Sequence, residues 1–479
     1  MTLHRYRMIC CPIIPCCERW APAALSRHKP STTTPEVLIG PHLSNMRSSE
    51  LFAFAFAVIL IVIAYIYSSR NKARFPLPPG PKKLPLIGNL LDLPTSSEWL
   101  TFARWGKEYN SDILHLSIAG VNLIVINSFN VANDLMDKRS SIYSSRPQFT
   151  MISELMGWGW SFSSMPYGEP WKERRRLFQK YFPASNDAVH KPRAVEYVHR
   201  LLKRVLEEPA GILDHLRHAI GSIVLSLGYG IHIKPSRDPY IDLAEQAMAT
   251  ITAAAAPGAF LVDMIPMLKY VPEWVPGAGF QRKAREWKKL AVRFREEPFD
   301  ISEKEMAEGI AQASLISLAL DNIDANKDVH HQREVIKDTA GMFFTAGSDT
   351  TVASLEAFVV AMLHFPDVQR KAQAELAQVV GPSRLPEFGD ESRLPYVSAV
   401  IKEILRWKPT VPLGLPHSLD QDDVYEGYHI PKGSFVIPNV WSMLHDEHTY
   451  GLDATSFNPD RFLKDGKLNP DVRDPVSII

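Results

Sequence analysis

A cluster of small and polar residues, Ala346-Gly-Ser-Asp-Thr-Thr351, lies inside a segment, 335–364, that otherwise has the apolar periodicity of one long helix. Gly, Ser, Asp and Thr all disfavour a helix interior, so their cluster in a buried helix suggests a function. A Gly allows close approach to the backbone, a Thr hydroxyl can bond the carbonyl four residues earlier, and an adjacent Asp can supply a proton. The alternative is a polar turn that joins two shorter helices.

A second pattern places opposite charges one helical turn apart. Glu403 and Arg406 can pair on one helix face, although the same spacing at 173–176 shows how easily it arises. A later Arg461 offers a second guanidinium, and a carboxylate shared by two guanidinium groups can lock distant segments together. The alternative is a set of unrelated surface salt bridges, which contribute little to stability.

A third pattern combines an aromatic ring and a cation. Trp171 and Arg175 are four residues apart, so on a helix they lie on one face and can hold the carboxylate of an anionic ligand. They belong to a basic run, 171–176, and such a run is more often a solvated face.

The composition excludes some classes of function. The chain has 53 basic and 53 acidic residues, so nothing in its charge predicts binding to nucleic acid. Its content of 46% hydrophobic and 22% charged residues is that of a globular protein with a large core. All four cysteines lie near the N-terminus, at Cys10, Cys11, Cys16 and Cys17. A body without cysteine suits a reducing compartment.

An uncharged stretch near the N-terminus predicts a membrane anchor. Residues 51–67 carry no charge and as a helix would span roughly 26 Å, although a buried core helix is the alternative. Basic residues follow the stretch, namely Arg70, Lys72, Arg74, Lys82 and Lys83. The excess of positive charge on that side predicts a single-pass protein in which everything after residue 70 is cytosolic.

These features divide the chain into four parts. Residues 1–45 are read as a disordered or non-native extension, since they lack the Arg-rich amphipathic helix of a targeting peptide. Residues 46–70 form the anchor and 71–85 a proline-rich hinge. Residues 86–479 are predicted to form one large domain, which the resemblance described below implies is catalytic.

Periodicity in that domain predicts a mainly α fold with a small β region. A β-hairpin is predicted at 113–118 and 121–126, and a strand-rich section at 424–437. Helices are predicted at 171–182, 191–207, 212–229, 238–254, 280–295, 334–364, 366–380 and 393–407.

The order and spacing of these motifs resemble the cytochrome P-450 monooxygenases over nearly everything from residue 46 onward. The motifs are the hinge Pro78-Pro-Gly-Pro81, W-x-x-x-R at 171–175, A-G-x-D-T-T at 346–351, E-x-x-R at 403–406 and P-x-R-F at 459–462. The resemblance implies the cytochrome P-450 fold, preceded by one transmembrane helix, with haem b between the long central helix and the proximal face.

The resemblance also implies roles for single residues. Asp349 and Thr350 would relay protons to the oxygen site, beside a groove formed by Ala346 and Gly347. The cofactor-binding residues would further include Trp171, Arg175 and His417, which would meet haem propionates, although the family often has Arg where Ser418 stands. The structural network behind the haem would comprise Glu403, Arg406 and Arg461.

The implied reaction inserts one oxygen atom from O2 into a small hydrophobic substrate at the endoplasmic reticulum membrane. Electrons would come from NADPH through NADPH-cytochrome P-450 reductase, docked on the cationic face around 172–176. Aromatic and aliphatic residues of 149–162, 253–267 and 342–344 are candidate pocket walls.

The family also uses a glycine-rich loop with a cysteine that binds the haem iron, and residues 18–479 contain no cysteine. We therefore expect a fold that is incomplete at its C-terminus and a chain without thiolate-ligated haem. One alternative is an inactive, membrane-tethered remnant that binds apolar ligands or a partner. Another is a non-haem metal enzyme that uses His445, Asp446 and His448, although two His and an Asp within four residues are more typical of a polar loop.

Overall fold

The computed structural model describes residues 75–94, 96–182, 187–256 and 258–478, with the backbone alone at 187–189. The predicted N-terminal extension and membrane anchor, 1–70, lie outside the described residues. The described residues divide into two units. The smaller one contains residues 75–77 and the hairpin of β4 (Asp423–Tyr425) and β5 (Tyr428–Ile430), whose His429 amide donates to the Pro76 carbonyl oxygen at 2.7 Å.

The larger unit is mainly helical, as the sequence predicts. Its helices are α1 (Glu98–Glu108), α2 (Phe129–Ala132), α3 (Ser140–Tyr143), α4 (Glu169–Tyr181), α5 (Asp187–Glu207), α6 (Ile212–Tyr229), α7 (Pro239–Ala255), α8 (Gly279–Ala307), α9 (Leu315–Leu320), α10 (Val329–His364), α11 (Pro366–Val379), α12 (Pro395–Trp407), α13 (Val440–Leu444) and α14 (Glu447–Tyr450). Single π-type turns occur at Asn133–Lys138 and Thr150–Leu155. Short 3-10 turns occur at Pro209–Gly211, Leu261–Asp263, Pro266–Tyr270, Phe388–Arg393, Pro459–Phe462 and Pro475–Ser477.

A four-stranded sheet has the order β1-β2-β6-β3. Its strands are β1 (Ile113–Ile118), β2 (Val121–Ile126), β6 (Phe435–Pro438) and β3 (His417–Ser418), and a separate hairpin joins β7 (Leu463–Lys464) to β8 (Lys467–Leu468). The β1–β2 hairpin is the one that the sequence predicts, and its two turn residues, Ala119 and Gly120, both have positive φ, as a tight hairpin turn requires. β6 pairs with β2 in parallel, which brings together residues more than 300 positions apart.

The central helix α10 runs for 36 residues without interruption, so the alternative of a polar turn within it is wrong. Asp328 caps its N-terminus by accepting a hydrogen bond from the His331 amide at 3.0 Å. Phe344 of α10 stacks on Phe294 of α8, with ring centroids 4.9 Å apart, in the largest apolar core cluster. Among the helices that the structure describes, α10 is the one whose length and apolar composition would suffice to cross a membrane, and a core helix has the same properties.

Several helices differ from the sequence-based expectation, and the short helices α2, α3, α9, α13 and α14 were not predicted. The predicted end of α8 near 295 is wrong, because α8 continues through Pro298 to Ala307. Proline removes one backbone hydrogen bond, and the burial of Phe294 and Phe299 offsets that loss. The helix α1 was not predicted, and it packs Phe102 and Trp105 against the sheet.

Candidate functional site

The polar cluster of α10 forms an exposed stripe between buried residues of the same helix. Ala346, Asp349 and Thr350 are exposed, whereas Phe344 and Val352 on either side are buried. The Thr350 hydroxyl donates to the Ala346 carbonyl oxygen at 2.7 Å, which satisfies its proton locally and leaves its lone pairs available. The stripe is therefore an open, polar surface in the middle of the fold.

Asp349 also borders a small cavity between α6, α7 and α10. The cavity, about 40 Å³, is lined by Arg217, Glu245 and Asp349 together with apolar side chains, and it is large enough for a water molecule. Although the residue is partly exposed, surrounding protein atoms desolvate its carboxyl group and raise the pKa of Asp349, while Arg217 lowers that pKa only in part. A raised pKa suits a group that holds and releases a proton.

Gly347 lies on a different side of α10 from the stripe. A Cβ at this position would lie 2.9 Å from Cγ2 of Val224 in α6. The glycine therefore allows α6 and α10 to approach each other closely. Its predicted part in the groove stays a prediction.

His417 lies beside a guanidinium that sequence analysis missed. His417 donates from Nδ1 to the Tyr143 carbonyl oxygen at 2.6 Å, and Arg146 donates from Nη1 to the carbonyl oxygens of Leu415 and Pro416 at 2.8 and 3.1 Å. Arg146 forms no ion pair within the described part of the chain, and burial lowers its pKa to about 10. Burial, reinforced by the charge of Arg146, lowers the pKa of His417 to about 4. A half-buried cation without a counter-charge is suited to an anionic ligand.

Trp171 and Arg175 lie on α4 as the sequence predicts. Trp171 packs against Tyr167, with ring centroids 5.4 Å apart. Arg175 is exposed, and no described residue forms an ion pair with it. It is thus a second cation that is free to bind an anion.

The buried residue Ser145 joins the segments that carry these groups. Its hydroxyl accepts a hydrogen bond from the Tyr167 amide at 3.3 Å, and its carbonyl oxygen accepts one from the Ser418 amide at 2.8 Å. Tyr167 contacts Trp171, Ser418 follows His417, and Arg146 follows Ser145. The structure therefore brings the neighbourhoods of Trp171, His417 and Arg146 together.

The loop that follows Arg146 leads towards the polar stripe. Gln148 donates from its side chain to the Ser164 carbonyl oxygen at 3.0 Å. Ser161 contacts Sδ of Met342 at 3.2 Å, one helical turn before Ala346. Another part of this loop, Trp158, is fully buried in the core cluster with Phe344, so these two candidate pocket walls are core residues.

The structure brings Glu403, Arg406 and Arg461 together. Arg406 donates to both carboxylate oxygens of Glu403, at 2.7 and 2.8 Å, and Nε of Arg461 lies 3.2 Å from the same carboxylate. Glu403 and Arg406 are fully buried. Arg406 also donates to the carbonyl oxygens of Leu444, Ala454 and Ser456, so the network ties α12 to the segment after β6. In contrast, the second E-x-x-R spacing forms no such pair, because Glu173 bonds His331 instead.

One residue of the predicted docking face is not available for docking. Arg174 is 9% exposed and donates to Asp338 of α10 from Nε and Nη2, at 2.9 and 2.7 Å. A buried cation that is paired with a carboxylate cannot contact a partner protein. Lys172 and Arg176 remain near the surface, where each pairs with Glu169.

The three residues of the non-haem metal hypothesis have other contacts. His445 stacks on Trp441, 4.2 Å between ring centroids, and bonds its carbonyl oxygen at 2.8 Å. Asp446 caps α14 by accepting hydrogen bonds from the amides of His448 and Thr449. Within the described residues, no group of three or more His, Cys, Asp or Glu side chains is arranged to hold a metal ion.

Comparison with known proteins agrees with this architecture. A sequence model of the cytochrome P-450 family matches residues 78–477. Cytochrome P-450 monooxygenase ple1 of Rhodocybe pseudopiperita is 48% identical over 416 residues, which cover 87% of this chain and 79% of that protein. Cytochrome P-450 monooxygenase 98 of Postia placenta is 47% identical over 414 residues, 86% of this chain and 79% of that protein. Tryptamine 4-monooxygenase of Psilocybe cyanescens is 40% identical over 415 residues, 86% and 82% of the two chains.

The part of the chain that the family model matches includes the central helix, the carboxylate network, Arg146 and Arg175. This protein therefore belongs to the cytochrome P-450 family of haem monooxygenases, a family of oxidoreductases.

Proposed function

We propose that the exposed stripe of α10 and the cations beside His417 form the distal face and the carboxylate end of a haem site, at which a small hydrophobic molecule is oxygenated. The observation that carries this proposal is the presence of two guanidinium groups, Arg146 and Arg175, without an ion-pair partner in the described part of the chain. Each lacks a counter-charge among the described residues, and a haem presents two carboxylates.

The residues present fit part of a haem. The cations and Trp171 suit its propionates, and the open stripe at Ala346 and Thr350 suits its flat face. An axial thiolate is not among them, because the part of the chain that the structure describes contains no cysteine. The carboxylate end is therefore the part of the site that an experiment on this chain can test directly.

A bound haem supplies the one-electron and O2 chemistry of the reaction. The protein's own residues would bind it and manage protons. Thr350 would accept a hydrogen bond through its free lone pairs. Asp349 would take a proton from a water molecule in the small cavity beside Arg217 and hold it. Arg146, Arg175 and Trp171 would orient the carboxylates.

Several finer proposals accompany this one. We infer a small hydrophobic organic substrate, and the name of the relative tryptamine 4-monooxygenase, which acts on a small aromatic molecule, supports this inference. Electrons would come from NADPH through NADPH-cytochrome P-450 reductase, and Lys172 and Arg176 lie near the surface, where they would contact it. The predicted anchor would place the protein in the endoplasmic reticulum membrane, with the catalytic domain in the cytosol.

The proposal is tested by titrating the full chain with protoporphyrin IX and, separately, with its dimethyl ester, while tryptophan fluorescence is recorded. The two porphyrins differ only in their carboxylates. We expect the diacid to bind more tightly than the ester. The ratio of their two dissociation constants, here called the preference, should fall roughly tenfold in Arg146→Gln. Arg282→Gln is the matched control, because Arg282 is an exposed cation of α8 that no described residue pairs with, and it should leave the preference unchanged.

Equal affinity of the wild-type chain for the diacid and the ester would contradict the carboxylate site. Binding that depends on apolar contacts alone would instead support the second candidate, an inactive tethered protein that binds apolar ligands.

A further inference from the structure

We propose that Asp338 is a positioning residue for the carboxylate site. Through Arg174 it sets the rotation of α4 about its own axis, and thereby the direction in which Trp171 and Arg175 project. The inference rests on the proposed function, since it assigns Trp171 and Arg175 to the binding of carboxylates.

Asp338 is the centre of a buried ionic network. It is 2% exposed and lies on α10, two turns before the polar stripe. Arg174 of α4 donates to its Oδ2 at 2.9 and 2.7 Å, and Nε of Arg295 in α8 donates to its Oδ1 at 2.8 Å. One carboxylate therefore joins three helices, α4, α8 and α10, by charge-assisted hydrogen bonds.

The network is balanced in charge and needs no ligand of its own. Arg295 also contacts Glu334 and Glu296, and both of these carboxylates contact Lys337. Three cations, Arg174, Arg295 and Lys337, thus meet three carboxylates. Burial by itself would lower the pKa of Arg295, but Asp338 and Glu334 raise it, so this guanidinium stays charged. A neutral network of this kind serves to hold helices in place.

The link from this network to the carboxylate site runs through one turn of α4. Arg174 lies between Trp171 and Arg175 in sequence, and its Nη1 donates to the Pro170 carbonyl oxygen at 2.9 Å. On a helix, Arg174 is about 60° from Trp171 and about 100° from Arg175. Because the Arg174 side chain is tied to both Asp338 and the α4 backbone, any rotation that moves it carries the other two residues along.

The other contacts between α4 and α10 restrain this rotation less. Glu173 meets His331 at 2.9 Å, but both side chains are more than one third exposed. Phe178 and Phe343 are in looser contact, with ring centroids 6.2 Å apart, and an apolar contact has no preferred direction. The pair of Arg174 and Asp338 is the buried, directional contact between these helices.

The test compares the full chain with Arg174→Gln and Asp338→Asn in titrations with protoporphyrin IX and its dimethyl ester. In Arg174→Gln, Asp338 keeps its bonds to Arg295, so this variant should fold even if Asp338→Asn does not. We expect the preference for the diacid to fall roughly tenfold while affinity for the ester is unchanged, the effect typical of losing a residue that supports binding groups. Arg174→Lys keeps the positive charge but cannot donate two parallel hydrogen bonds to the carboxylate, so it should retain only part of the preference.

The matched control is Arg333→Gln. Arg333 pairs with Glu303 at 2.6 Å and so joins α10 to α8 as Arg295 does, but it does not contact α4. We expect this variant to leave the preference unchanged. An Arg174→Gln protein that is destabilised yet retains the wild-type preference would overturn the positioning role while the proposed function stands. A wild-type chain without preference would overturn both.

Discussion

The hydroxyl group of Thr350 donates to the carbonyl oxygen of Ala346 at 2.7 Å, inside a helix that continues unbroken on both sides. This bond satisfies the hydroxyl proton of Thr350 within the helix itself. It also fixes the direction of the hydroxyl lone pairs. The poor helix formers of the cluster are tolerated because the rest of α10 is held by packing against its neighbours.

Thr350→Ala should uncouple electron consumption from product formation. In a haem-loaded form of the protein that carries an axial cysteine, loss of the hydroxyl removes a proton-handling group, which typically contributes roughly 10²-fold to a rate. The measurement is product formed per NADPH consumed, with Thr350→Ser as the control that keeps the hydroxyl. Equal coupling in the wild type and Thr350→Ala would eliminate the proposed role.

Glu403→Gln should strongly destabilise the fold. The substitution removes the carboxylate shared by Arg406 and Arg461, and breaking a buried ion pair of this kind costs about 3–5 kcal/mol. The free energy of unfolding is measured by urea denaturation. Glu169→Gln removes the partner of two exposed cations and should have no resolvable effect, because exposed pairs are screened by water. A similar stability for both variants would contradict the network.

Stability should fall as the pH decreases from about 6.5 towards 4. Burial lowers the pKa of His417 and of His445 to about 4, whereas an unfolded histidine has a pKa near 6.5. Below pH 6.5 the unfolded chain binds protons that the folded chain does not, so the stability present at neutral pH is lost, by roughly 2 kcal/mol for each histidine.

Urea unfolding at pH 7.5 and pH 4.5 checks this expectation. The variants His417→Gln and His445→Gln should each show a smaller loss between the two pH values. His448→Gln alters an exposed histidine and serves as the control. If the wild type and all three variants show the same pH dependence, neither buried histidine is responsible.

Gly347→Ala should destabilise the contact between α6 and α10. The new Cβ would lie 2.9 Å from Cγ2 of Val224, whose branched side chain has little freedom to move away. Overpacking of this size costs about 1–3 kcal/mol, partly offset by the better helix propensity of Ala. In a chain that already carries Val224→Ala, the new Cβ has room, so Gly347→Ala should then raise the free energy of unfolding. A double-mutant cycle with no coupling energy would contradict the close contact.

Local pattern predicts much of this fold because periodicity and turn chemistry are local properties. The bounds of the β1–β2 hairpin agree with those predicted, since two apolar strands and a short turn need no distant partner. The long central helix was also predicted from its period. The missed helix α1 and the extension of α8 past Pro298 both depend on burial against other parts of the chain, which a local pattern does not contain.

The candidate site also combines features that local sequence predicts with features that depend on tertiary packing. Short local patterns are enough to recognise the family motifs and the roles expected of Asp349, Thr350, Trp171, Arg175 and His417. Only the tertiary structure decided that Arg146 lies beside His417, that Arg174 is buried against Asp338, and that Gly347 packs on Val224. These contacts join residues 123 to 271 positions apart in the sequence. Their energies depend on burial and on the direction of charged groups, which exist only once the helices have packed.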